Sequence, residues 1–308
     1  MRRRLFAASL VLVTAAIAAV SAWPGSPPRV FQRGGVEQAP RQWPLAPVPP
    51  DGQRVAPFFD GFYENPDGTI TLSFGYSNLN RERTIEIPLG PDNFIEPKEY
   101  DGRQPTSFPI APVSDAGGGG RRDRERGVFT ITVPATFKGD VVWTLRHAGQ
   151  THKVPGRAKT GAYGLRWPMA SGSIPPLLRF KADGPPGRGP VGIESPLLQA
   201  TAGTPLTVTI WIKDDSVRDA ETVEVKERGP ARNALNVNWY KHSGPGPVTF
   251  DPPKSALKEL EGTATSAITF TQPGTYMLRV RADNFGRVDT SAGNQCCWTN
   301  GYIRVTVK

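Results

Sequence analysis

Apolar and polar residues alternate one for one through several short stretches of this chain, the pattern of strands with one buried face. In residues 69–76 the set Ile70, Leu72, Phe74 and Tyr76 falls on one side. Asn65-Pro66-Asp67-Gly68 just before it predicts a turn, because Pro presets φ and Gly accepts the positive φ that closes it. Residues 58–63 are then its hairpin partner. Strands are also expected over 84–89, 128–133 and 141–145, with Phe129, Ile131, Val133 and Val141, Trp143, Leu145 facing a core. Ala148-Gly149 turns the chain back into 151–154. A second periodic block opens with Leu206-Thr207-Val208-Thr209-Ile210-Trp211-Ile212 and continues through 222–225, 237–240, 248–250, 267–270, 276–280 and 302–307. Seven short strands are the number an immunoglobulin-type sandwich uses. Residues 255–261 read as one helical turn.

No segment carries a sustained helical period, and Gly and Pro punctuate nearly every one. The chain holds 33 Gly and 32 Pro in 308 residues, well above average usage. The predicted class is therefore all-β: two tandem Ig-like β-sandwich domains, 57–155 and 190–308, joined by a Pro/Gly-rich connector over 156–189. Residues 23–56 have no apolar periodicity and many prolines, the composition of a disordered lead-in. Within the first domain, 90–126 is long for a connection. Order is expected over 90–113 and mobility over 114–126, where four glycines run into alternating arginines and acids.

The N-terminus reads as a secretory signal peptide over 1–22. Arg2-Arg3-Arg4 supplies a basic start, Leu5 to Val20 an apolar run, and Val20-Ser21-Ala22 the small residues before a cut. The alternative is an uncleaved segment anchoring the protein to the membrane. Export places the mature chain outside the cell or in the periplasm. The formal charge of +9 includes those three arginines, and the remaining excess is scattered. Nucleic-acid binding wants a basic stripe with interleaved aromatics, so no nucleic-acid partner is expected.

Residues 190–308 also resemble the Ig-like modules of bacterial surface proteins, of the polycystic-kidney-disease (PKD) and cadherin-like kind. The resemblance is carried by Ala202-Gly203-Thr204-Pro205 leading into a strand that ends in Asp214-Asp215, by Trp239 followed by Ser243-Gly244-Pro245-Gly246, and by Pro273-Gly274-Thr275-Tyr276 before a strand ending in Asp283. It departs from that family in long insertions at 213–235 and 284–300. The resemblance implies a non-catalytic extracellular contact or spacer module; it implies no substrate. The first domain matches no recognised family.

Candidate chemistry is sparse. There is no Gly-x-Ser-x-Gly and no His-Glu-x-x-His, and His147, His152 and His242 are the only imidazoles. Cys296-Cys297 is the most unusual local feature: the only two cysteines stand side by side. In an oxidising compartment they form a vicinal disulfide, stay as two thiols with one buried, or bridge to another chain. Trp298 follows them and, with Asn294, completes a candidate binding tip; the competing reading makes Trp298 and one Cys a plug for the end of the sandwich. If the strands ending at Ile212 and Ala282 emerge at one end, Asp214, Asp215, Asp283 and Asp289 converge there, a hard-oxygen set suited to Ca²⁺. Against this, Arg218, Lys226, Arg228, Arg232 and Arg287 are near enough in sequence to pair with them instead. No other cofactor is expected.

These observations lead to a non-catalytic exported cell-envelope module that docks a protein or polysaccharide partner through the tip loops of its second domain. One rival is a carbohydrate-binding accessory protein using Trp211, which is out of phase with its aliphatic neighbours. The other is an enzyme with an inter-domain site drawing on Asp92, Glu96, Glu99 and Asp101.

Overall fold

Alternating burial closes two separate hydrophobic cores. The computed structural model describes residues 52–80, 82–110, 124–158, 161–168, 172–218, 234–284 and 296–308. The fold is all-β. The first core lies between a sheet of β1 (Val55–Glu64), β2 (Ile70–Asn78) and, further along the chain, β6 (Arg124–Val133), and a second sheet ordered β4-β7-β8. Here β4 is Asn93–Glu96, β7 Val141–His147 and β8 Gln150–Gly156; β3 (Ile85–Glu86) pairs with β5 (Ser107–Phe108). The β1–β2 hairpin turns where the sequence predicts it: Gly68 N donates to Asn65 O at 2.9 Å, and Gly68 takes φ 81°. Trp143, Phe74, Phe108 and Phe129 fill the core, with Phe129 edge-on to Trp143 at 5.0 Å between ring centres. Aromatic pairs at this separation favour that geometry. The segment 90–110 holds β4, a single 3-10 turn at Lys98–Tyr100, and β5. Residues 124–126, expected within the mobile loop, belong to β6; 111–123 lie outside the described residues.

The second sandwich contains β9 (Leu177–Arg179), β10 (Ile193–Glu194), β11 (Leu198–Ala200), β12 (Leu206–Lys213), β13 (Leu235–Ser243), β14 (Val248–Asp251), β15 (Lys254–Leu257), β16 (Glu261–Phe270), β17 (Gly274–Asp283) and β18 (Trp298–Val307). Among the described residues one sheet runs β14-β16-β12-β9. The other runs β10-β18-β17-β13-β15, with β11 also on β18. Residues 255–261 form no helical turn: Lys254–Leu257 is a strand antiparallel to β13. The strand expected over 222–225 lies outside the described residues. Leu178, in the stretch read as a connector, is fully buried in the second core, and its strand pairs with β12.

The arrangement of β12-β16-β14 against β13-β17-β18 follows the two-sheet order of an immunoglobulin-type sandwich, with Trp239 buried on the third strand of that scheme. Tyr276, at the start of β17, makes the corner typical of that architecture. Its hydroxyl donates to Gln272 O at 2.9 Å and accepts from Gly246 N at 3.1 Å. The Pro-Gly-Thr-Tyr segment is thus a turn plus a hydrogen-bonded plug.

Candidate functional site: the seam between the sandwiches

Period two puts Tyr276, Leu278, Val280 and Ala282 into the second core, so Met277, Arg279, Arg281 and Asp283 face the other way. Register extends this outer face across three strands. Tyr240, Arg279 and Tyr302 stand in one row, Asn238, Arg281 and Asn300 in the next, and Asn236, Asp283 and Trp298 in the third. Such a face is usually wet. Here the first sandwich covers much of it.

Glu125 of β6 accepts from Arg279 Nη2 at 2.9 Å and from Arg281 Nη1 at 3.0 Å. The Arg279 and Glu125 side chains are 2% and 3% exposed. Burial alone pushes the Glu125 carboxyl up, but the two guanidinium groups outweigh it and hold it below the usual carboxylate range. Arg279 also lies 4.4 Å over the Tyr240 ring, and Arg281 lies 4.5 Å over Trp298. Asn300 Nδ2 donates to Gly127 O at 2.7 Å and to Pro190 O at 3.0 Å, and the Tyr302 hydroxyl donates to Val128 O at 3.0 Å.

Gly127 sits at the centre of this joint. Its N–H donates to Asp60 Oδ2 at 2.8 Å while its carbonyl takes the Asn300 amide. It has φ 54°, and a Cβ there would collide with the Trp298 ring. Both facts require glycine. Asp60 is buried and bound to Arg124 at 2.6 Å; burial outweighs that attraction and raises its pKa.

Two clefts flank the seam, one on each side of a bridge where Thr106 N donates to His242 O at 2.8 Å. One, of about 510 Å³, lies between Thr130 and Thr132 on β6 and Met277, Tyr302 and His242 opposite. His242 is buried, and its Nε2 lies 3.0 Å from Arg103 O. Burial lowers its pKa to about 4; the Arg103 carbonyl opposes the shift and the charge on Arg279 adds to it. The other cleft, of about 430 Å³, is lined by Glu86 and Ser107 from the first sandwich and by Trp239, Tyr240, Lys241 and Phe250 from the second.

The residues singled out in the sequence are placed differently. Cys296 and Cys297 are bonded to each other across a cis peptide, which selects the vicinal disulfide among the three alternatives. Cys296, Cys297 and Trp298 are all buried, at 1%, 0% and 1% exposure. They therefore form no exposed tip anchor: Trp298 fills the seam, against Gly127 and Arg281. Asn294 and Asp289 lie outside the described residues. Asp214, Asp215 and Asp283 form no metal-holding group, and no cluster of three or more His, Cys, Asp or Glu of that kind exists among the described residues. The reason is arginine. Asp214 Oδ2 takes Arg218 at 2.6 Å, Asp215 takes Arg188 at 2.9 and 2.7 Å, and Asp283 lies 3.7 Å from Arg281. Arg188 holds the Asp215 carboxyl below its usual range.

The other candidates are equally engaged. Trp211 is half-buried on β12, between Arg179 and Thr263 in the sheet register. Asp101 accepts from Ile95 N, Gly102 N, Gln104 Nε2 and Lys98 Nζ. Burial pushes its pKa up, but those donors outweigh it and the net shift is downward, opposite to what a general acid needs. Glu96 and Asp101 line an open groove of about 720 Å³ in the first sandwich, which shares Gly102 with the cleft beside His242. His152 Nε2 meets Gln150 Oε1 at 3.2 Å. No helix among the described residues is long and apolar enough to cross a membrane.

Sequence reasoning missed the seam because alternation marks a polar phase without saying what covers it. One signal was present. Met277, Tyr240, Trp298 and Tyr302 are large, largely apolar side chains in the polar phase of three adjacent strands, which is unusual for a solvated face.

No protein-family model matches the chain, and no curated protein matches it. Solved structures with partial similarity include the D00-D0 domain of intimin, at 11% identity and TM-score 0.24, covering 82% of this chain and 100% of that one. The Yersinia pseudotuberculosis adhesin InvE overlaps at 9% identity and TM-score 0.23, covering 82% of this chain and 58% of that one. WR4, an MSP family member of C. elegans, overlaps at 11% identity and TM-score 0.22, covering 36% and 92%. Overlaps this loose carry no argument about function.

Proposed function

We propose that this chain is a non-catalytic, exported cell-envelope binding or structural module, with its two sandwiches held as one stiff body. The observation that carries the reading is the seam. Arg279, Arg281 and Glu125 are taken out of water between two cores, an arrangement that tolerates no rocking of one sandwich on the other without stranding a charge. A stiff pair of sandwiches suits presentation of a fixed surface to a protein or polysaccharide of the envelope. The signal-like N-terminus, with its cut after Ala22, supports export. The buried Cys296–Cys297 bond fits an oxidising compartment. Among the described residues His152 meets Gln150 and His242 meets the Arg103 carbonyl, and burial lowers the His242 pKa to about 4.

Cell fractionation followed by N-terminal sequencing tests this. The expected product begins at Trp23, is found outside the cytoplasm, and sediments with envelope material when added back as pure protein. A cytoplasmic product with Met1 retained, or a purified protein that never associates with envelope fractions, overturns the reading.

A further inference from the structure

We infer that the cleft between Glu86 and Trp239 is a binding site for a neutral oligosaccharide. This rests on the binding-module reading and names the ligand class for it. Sites for small ligands favour interfaces between structural units, measure a few hundred cubic ångströms, and combine aromatic walls with a few placed polar groups. This cleft, of about 430 Å³, has all three properties.

Its apolar walls are Trp239, Tyr240 and Phe250, all from the second sandwich. Aromatic faces and edges pack against the C–H faces of a pyranose ring as they do against other apolar surfaces. Its polar wall is a fixed donor-acceptor pair. Lys241 Nζ donates to Glu86 Oε2 at 3.0 Å, and Ser107 Oγ donates to Glu86 Oε1 at 2.8 Å, so the carboxylate is held from both sides. A cation and a carboxylate this close can be straddled by two adjacent ring hydroxyls, one accepting and one donating. The pair also cancels its own charge. That disfavours phosphate, nucleic acid or an acidic peptide, each of which wants unopposed cations.

A further observation points to an absent group. Trp239 lines the cleft at 4% exposure, and its indole N–H has no hydrogen-bond partner among the described residues. Buried donors are almost always satisfied, and an exception calls for a reason. A hydroxyl oxygen seated in the cleft, with a small movement of the ring edge, would supply the missing acceptor.

The test is calorimetric titration of the full mature protein with cellotetraose, chitotetraose and maltotetraose. Binding of at least one is expected. Glu86→Gln and Lys241→Met should each weaken it about tenfold or more, the effect of losing a hydrogen bond to a charged group. Trp239→Phe keeps the ring in the core and removes the N–H, and should weaken it in the same direction. Thr132→Ala, in the opposite cleft, should leave it unchanged. Glu86 is half exposed, so its replacement does not threaten folding and the test stands even if Trp239→Phe proves unstable.

No heat with any of the three sugars, or binding indifferent to Glu86→Gln and Lys241→Met, overturns the proposal. So does binding of a proline-rich decapeptide that these variants abolish, which would make the cleft a peptide groove. If Glu86→Gln protein still sediments with envelope material while no sugar binds, the saccharide site falls and the module reading stands.

Discussion

Glu125 and Arg279, 154 positions apart in the chain, meet at 2.9 Å, and both are shut away from water. Removing one partner from such a pair leaves the other charge uncompensated, at a cost of about 3–5 kcal/mol. Glu125→Ala should therefore lower the urea midpoint by that equivalent. Replacing Glu125, Arg279 and Arg281 together with apolar residues of similar volume should recover much of the loss. A single-variant cost near that of a surface ion pair, below about 1 kcal/mol, would show that water reaches the seam.

The His242 ring gives the protein an acid limb. Its pKa falls from the ordinary 6.5 to about 4 in the folded chain, so the unfolded chain binds the proton first. Stability is complete above about pH 6.5, declines as pH drops, and levels off once the folded protein also protonates near pH 4. The full loss is on the order of 3 kcal/mol. Denaturation midpoints taken between pH 7 and pH 4.5 should slope accordingly, and His242→Gln should flatten the slope. Glu125, with its folded pKa lowered, adds a loss that begins as pH falls into the normal carboxylate range and is complete only below its folded value. Asp60, with its pKa raised, acts in the opposite sense, stabilising the fold less as pH rises through its folded value.

Gly127→Ala should destabilise by about 1–3 kcal/mol, through a strained positive φ and a collision with Trp298. Trp298→Leu should relieve the collision, so the double variant ought to be more stable than the sum of the two single losses predicts. Strict additivity in thermal melts would mean that the two residues do not touch.

The cysteine pair should resist alkylation in the native protein, because both sulfurs are bonded and buried. Intact mass should be two hydrogens below the dithiol value, and two labels should enter only after reduction and unfolding. One label entering the untreated native protein contradicts this assignment.

Leu178→Ala should cost about 2–5 kcal/mol, the usual effect of emptying a fully buried leucine site. Leu197→Ala, at 53% exposure, should change stability by no more than about 0.5 kcal/mol. Equal effects would return 156–189 to the status of a linker.

Much of this architecture was legible in the alternation itself. The hairpin at Asn65–Gly68 and the core phases of β2, β6, β7, β12 and β17, Tyr276 included, all follow from local pattern and turn chemistry. Leu178 was hidden because a three-residue strand among prolines is too short to display a period. The seam was hidden for a different reason. Arg279 and Arg281 carry the same alternation whether water or Glu125 faces them, and only the pairing of distant strands decides which. The acids at 214, 215 and 283 looked like ligands because composition cannot tell an arginine partner from a cation.

Glu125 and the carbonyls of Gly127 and Val128 emerge from the ribosome long before Arg279, Asn300 and Tyr302 exist to receive them. Until β17 and β18 arrive, the first sandwich must keep that flank hydrated, so covering it waits on contacts of very long sequence separation, which form slowly.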